Sequence, residues 1–134
     1  MAPPLPWRSF APIEPDGTYI VTTSHLPLRR HRHIPAVMVA TMRIARELAR
    51  SDGLVGYSLQ AQLGPKTFWT MSVWQTSADL ERFVRSAVHR AAMADIGPHM
   101  RRPRIRTTSV QGAHLPPAWA QARRELTSDD TISS

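Results

Sequence analysis

Between residues 19 and 111 the hydrophobic positions switch period repeatedly, and each switch marks an element. Tyr19, Ile20, Val21, Thr22 and Thr23 are a mostly β-branched run that predicts a strand. Residues 26–33 read as a loop, and Pro35 suits the first turn of a helix. Val37, Ala40 or Thr41, Ile44 and Leu48 then recur at helical spacing, with Gly53 placed to end the helix. Val55, Tyr57, Leu59, Ala61 and Leu63 alternate with Gly56, Ser58, Gln60 and Gln62, a period of two that predicts a second strand. Gly64-Pro65 makes a turn, and residues 67–74 return as the other half of a hairpin. Thr76, with Asp79 three residues on, fits a capping box, and Leu80, Phe83, Val84, Ala87 and Ala91 give the next apolar stripe. Gly97-Pro98 closes that helical region, residues 105–111 form a weaker last strand, and a short helix is expected over 117–126.

The order is β-α-β-β-α-β, an α+β ferredoxin-like sheet with helices on one face. Along residues 67–74, Trp69, Met71 and Val73 point one way and Phe68, Thr70, Ser72 and Trp74 the other. Large aromatics on both faces predict that a second subunit covers the face without helices, giving a homodimeric α+β barrel.

Composition bounds this picture. Five of the 12 prolines precede residue 16, so residues 1–17 read as a Pro-rich tail that adds little to the core. Residues 18–126 then form the single domain, and residues 127–134 a polar tail. The absence of cysteine excludes disulfides, thiolate-bound metals and thiol nucleophiles. The longest weakly polar run, residues 34–42, is far short of the ~18–20 residues that span a bilayer. No charged segment followed by an apolar one opens the chain, so the expectation is a cytoplasmic protein with no membrane partner.

Lys+Arg is 17 against 10 Asp+Glu, and all but Lys66 of the 17 are arginine. Such a field attracts anions of any kind. Arg43, Arg46 and Arg50 recur as a water-facing stripe on the first helix. Arg29-Arg30-His31-Arg32-His33 and Arg101-Arg102-Pro103-Arg104-Ile105-Arg106 stand apart, because both flank regular elements. No nucleophile elbow, Walker loop or dinucleotide fingerprint appears, and the carboxylates are scattered. Chemistry must therefore come from histidine, arginine, tyrosine and tryptophan. His31 and His33 lack a third ligand and sit among arginines, so no metal site is expected.

His89 admits two readings. On one unbroken helix it lies opposite Leu80, Phe83, Val84, Ala87 and Ala91, in water. However, Met93 and Ile96 fall at about 220° and about 160° from Leu80 on that wheel. Leaving both exposed would forfeit about 1.5–3 kcal/mol each relative to full burial. A break at Ser86, with that serine capping a new helix, puts Met93, Ile96 and His89 on one inner face. The sequence therefore predicts a break between Arg85 and Val88 and a His89 turned towards a cleft.

Phe68-Trp69-Thr70-Met71-Ser72-Val73-Trp74, then Thr76-Ser77-Ala78-Asp79-Leu80, Phe83 and His89-Arg90, resembles the antibiotic-biosynthesis monooxygenase superfamily of dimeric α+β barrels. In motif it looks most like the spheroidene monooxygenase-like proteins. The resemblance covers residues 19–111 in element order and 68–90 in motif. It implies a pocket between sheet and helices. Some members oxidise aromatic polyketides without a cofactor, and others bind haem through a histidine near the position of His89. Cofactor-free members often use a pocket asparagine, and this chain contains none.

The leading functional expectation is a small monooxygenase-like enzyme that acts on a hydrophobic or aromatic molecule, with molecular oxygen as co-substrate. His89, Arg106 and Arg85 are its candidate catalytic residues, and Tyr57, Phe68, Trp69, Trp74 and Phe83 its candidate pocket walls. In the haem version His89 binds iron and arginines hold the propionates. A non-catalytic ligand-binding barrel ranks second. RNA binding ranks third, because residues 66–74 lack the glycines of an RNA-recognition motif.

Overall fold

The computed structural model of the protein describes residues 5–62, 64–116, 124 and 126. Among these, five strands form one antiparallel sheet: β1 (Leu5–Ser9), β2 (Thr18–Pro27), β3 (Leu54–Gln62), β4 (Thr67–Trp74) and β5 (Arg104–Gln111). Their spatial order is β1-β3-β4-β2-β5. Helices α1 (Ile34–Arg50), α2 (Ser77–Val84) and α3 (Ala87–Ile96) pack on one face. Without β1 this is the ferredoxin-like arrangement that the sequence predicts. The short helix expected over 117–126 lies outside the described residues except for Arg124 and Leu126, as does the 127–134 tail.

Local chemistry sets the helix ends. Pro35 occupies the first turn of α1, and the Ser51 hydroxyl donates to the Glu47 carbonyl at 2.7 Å beyond its last turn. Gly53 follows with φ of 83°, a conformation suited to glycine. Its carbonyl accepts from Gln75 N–H at 2.8 Å, which ties the end of α1 to the end of β4. Thr76 and Asp79 form the expected capping box of α2: Asp79 N–H donates to the threonine oxygen at 3.1 Å, and the threonine hydroxyl donates back to the carboxylate at 2.8 Å. That hydrogen bond, together with Arg82, holds the Asp79 carboxyl below its ordinary range.

Strand register assigns every side chain to a face. Tyr57, Ser72, Thr22 and Thr107 form one row across the sheet, and Leu59, Thr70, Ser24 and Ile105 the next. Both rows face the helices. At one end of this face Phe68 packs with Val37, Ala40, Ala92 and Ile96; at the other, Trp74 packs with Leu48, Tyr57 and Phe83. The opposite face carries Ser58, Met71, Thr23 and Arg106 in one row, and Gln60, Trp69, His25 and Arg104 in another. The strict alternation expected along residues 55–63 does not hold at its start. A register shift between Leu54 and Gly56 sends Val55 to the opposite face from Tyr57, into a cluster with Val21 and Val73.

The N-terminal segment also departs from expectation. Residues 1–17 read as a tail, yet Leu5–Ser9 is an edge strand with Leu5 opposite Leu59 and Arg8 opposite Tyr57. Proline is tolerated there because an edge strand need not donate on both sides. Trp7, Ile13 and Leu115 then cover the second face, packing on Tyr19, Val21, Val55, Met71 and Val73. Val21, Met71 and Val73 are at most 5% exposed in the single chain. The chain thus supplies much of the cover that the sequence assigns to a partner subunit.

Gly56 reports on this cover. A Cβ at this position would collide with the indole ring of Trp7. Gly56→Ala is expected to destabilise the fold by about 1–3 kcal/mol through overpacking, measured by urea unfolding. Trp7→Leu should remove most of that penalty in a double-mutant cycle.

Candidate functional site

The break between α2 and α3 builds the site. α2 ends at Val84, and α3 begins at Ala87 with Ser86 extended as its N-cap. The Ser86 hydroxyl oxygen accepts from His89 N–H at 3.2 Å. This cap restarts the helical phase at the position the sequence predicts, and α3 presents His89, Met93 and Ile96 to an apolar pocket. Ile96 is 2% exposed, which removes the exposure that an unbroken helix would impose.

The pocket lies between the sheet and all three helices. α1 contributes Thr41, Ile44 and Leu48, and α2 contributes Leu80, Phe83 and Val84. The sheet supplies a floor of hydroxyls, Thr22 and Ser24 from β2 and Thr70 and Ser72 from β4, flanked by Leu26 and Leu59. Among the described residues no Asp, Glu, Lys or Arg lines it. Ser72 accepts a hydrogen bond from the Trp74 indole N–H at 2.9 Å, which leaves its own hydroxyl hydrogen free to donate. Thr22 and Thr107 hydroxyls meet at 3.2 Å.

His89 is half-buried, with its ring edge-on to Phe83 at 5.1 Å between centroids. Burial holds its pKa below the ordinary 6.5, and a hydrogen bond from the ring to the Val84 carbonyl pulls the other way. That bond occupies one ring nitrogen as a donor. In the neutral ring the other nitrogen is then an acceptor. The linkage sign follows: as pH falls below 6.5 the unfolded chain takes up the proton first. His89 therefore favours the fold above that pH and ceases to do so as pH falls towards its folded-state value.

The remaining sequence candidates divide. Phe83 lines the pocket; Tyr57, Phe68 and Trp74 share its face of the sheet but are core residues beside it. Trp69 lies on the opposite face, 8% exposed, stacked on His25 at 4.0 Å with its N–H on Gln62 at 3.1 Å. It offers no open stacking platform for a nucleic acid base. Arg106 pairs with Thr23 and so shares that opposite face, and Arg85 caps α2 on the exposed side. Neither arginine joins His89 in the pocket, because the period of two sends Arg106 away from its neighbour Ile105. Haem does not fit these residues: among the described residues no arginine or lysine lines the pocket to meet its propionates. His31 contacts the Gly64 carbonyl at 3.0 Å, and His33 stacks on His99 at 3.8 Å. Among the described residues no three His, Cys, Asp or Glu converge on a metal position. The hydroxyl floor is the feature that sequence reasoning missed. Its signal is Thr22-x-Ser24 on one strand and Thr70-x-Ser72 on its neighbour, four hydroxyls on one face.

The family model for antibiotic biosynthesis monooxygenases matches residues 36–95, which run from α1 to α3. Solved structures agree with the fold. A candidate antibiotic biosynthesis monooxygenase from Nitrosomonas europaea superposes with a TM-score of 0.63 at 17% identity, covering 76% of this chain and 95% of that one. A conserved protein from Methanosarcina mazei gives 0.63 at 13% identity, over 69% and 93%. A dimeric ferredoxin-like protein of unknown function from Thermobifida fusca gives 0.62 at 16% identity, over 77% and 99%. No curated protein matches.

Ser86 is the residue on which this geometry turns. Ser86→Ala is expected to cost about 1 kcal/mol in thermal or urea unfolding, within the ~0.5–2 kcal/mol range for a lost cap, and Ser86→Asp to retain most of the stability.

Proposed function

We propose that this chain, similar over residues 36–95 to the antibiotic biosynthesis monooxygenase family model and alike in fold, oxidises a neutral hydrophobic or aromatic molecule with molecular oxygen. The observation that carries the proposal is a half-buried imidazole, its pKa lowered by burial, at the wall of an apolar pocket floored by hydroxyls.

His89 acts as the general base. With one ring nitrogen held by the Val84 carbonyl, the other accepts a proton from an acidic C–H of the substrate. The electron pair left behind is delocalised onto a substrate oxygen, and the floor hydroxyls, Ser72 above all, donate hydrogen bonds to it. The carbanion transfers its electrons to O2 and forms a C–O bond to a peroxide. Protonation of that peroxide, loss of the second hydrogen on the carbon and cleavage of the O–O bond give a carbonyl and water. The balance is one CH2 and one O2 to one C=O and one H2O, with no external reductant. Trp74 is a positioning residue, since its indole N–H orients the Ser72 hydroxyl.

The pocket's lack of charged lining argues for substrates without carboxylate or phosphate. The proposal includes a homodimer, the state named for the Thermobifida fusca protein, here with the terminal segments of each chain already packed on part of the second face. Light scattering that shows a monomer at micromolar concentration would remove the dimer from it.

The competing reading is a barrel that binds the same ligands without turnover. A tricyclic aromatic ketone with an acidic CH2 serves as probe, with an oxygen electrode as readout. Uptake of one O2 per ketone oxidised is expected. His89→Gln should lower kcat by about 10²–10⁴-fold, the usual scale of general-base catalysis, with KM little changed. Binding of the ketone with no oxygen uptake would favour the competing reading, and full turnover by His89→Gln would remove His89 as the base.

A further inference from the structure

The outer face of α1 carries an apolar patch beside the water-facing arginine stripe that the sequence suggests. Met38, Val39 and Met42 are 45%, 53% and 52% exposed, and lie within about 100° of one another around the helix. Arg43, Arg46 and Arg50 continue the same exposed side towards the C-terminus. Arg29, Arg30 and Arg32 are exposed just before the helix begins. The second basic loop docks at this end, with Arg29 N–H on the His99 carbonyl and Arg101 N–H on the Pro27 carbonyl, each at 2.8 Å. Glu47 is the only carboxylate in residues 29–50, and it is half-buried.

We propose that this face of α1 docks on an anionic lipid surface, with Met38, Val39 and Met42 entering the headgroup boundary and the flanking arginines meeting lipid phosphates. An apolar centre between basic ends is the pattern of a helix lying in a membrane interface. No helix among the described residues is long and apolar enough to span a bilayer, and in-plane docking does not require one. Charge complementarity selects the occupant. A second copy laid on this face would set arginines against arginines in either direction. A nucleic acid would satisfy the arginines and leave the three apolar side chains in water. An anionic bilayer satisfies both. The inner side of the same helix supplies Thr41, Ile44 and Leu48 to the pocket, so α1 would separate the lipid surface from the apolar site by one helix thickness.

Cosedimentation of the full chain with vesicles tests this. Vesicles of phosphatidylcholine with about a third phosphatidylglycerol should bind it, pure phosphatidylcholine should not, and added salt should weaken the binding. Arg43→Gln with Arg46→Gln should weaken binding roughly fivefold per arginine removed. Met38→Ser with Met42→Ser should weaken it on the order of tenfold or more, with an unchanged circular dichroism melt. Failure to sediment with anionic vesicles at low salt would overturn the proposal. So would methionine variants that bind like the parent, or a single-stranded oligonucleotide that displaces the protein at matched phosphate concentration. Self-association lost in the methionine variants would assign the face to a second copy instead.

Discussion

One hydrogen bond, from His89 N–H to the Ser86 hydroxyl, governs the site. An α-helix fixes the direction of every side chain once its phase is set, so a helix that ran from residue 77 to residue 96 would carry His89 into water. Ending α2 at Val84 and restarting at Ser86 resets the phase. Val84 is then the last residue of α2, and its carbonyl acts on the His89 ring against the effect of burial. The break therefore supplies the orientation of the imidazole and the partner that fixes its tautomer.

Much of this was legible in the sequence, for physical reasons that differ by element. Helix positions and the capping box were readable because Val37, Ile44 and Leu48, then Thr76 and Asp79, act over a few residues. The break was readable because Met93 and Ile96 are too apolar to leave outside, and a serine stood where a cap was required. The motif at residues 68–90 resembles the family whose model matches, and it lies within the matched span.

What the sequence concealed was non-local. Trp7 lies in a proline-rich segment with no strand signal, and its value appears only where β3 provides a glycine to receive it. Arg106 has the right chemistry for an anion, but register pairs it with Thr23, across the sheet from His89. The bulge at Val55 is invisible in a stretch that reads as uniform alternation. The hydroxyl floor requires two strands to be paired before its four members become neighbours. In the proposed chemistry, stabilisation of a developing anion falls to hydroxyls and to the imidazolium formed from His89, since no arginine is among the described residues that line the pocket.

The central claim is that His89 is neutral with one ring nitrogen held and the other free to accept. Nitrogen-15 NMR titration of the histidine side chains, assigned with His89→Gln, measures this directly. The account predicts a His89 pKa below 6.5 and a single dominant neutral tautomer, both lost in Ser86→Pro, which removes the hydroxyl cap. A His89 that titrates at or above 6.5, with its two neutral tautomers in free exchange, would contradict it.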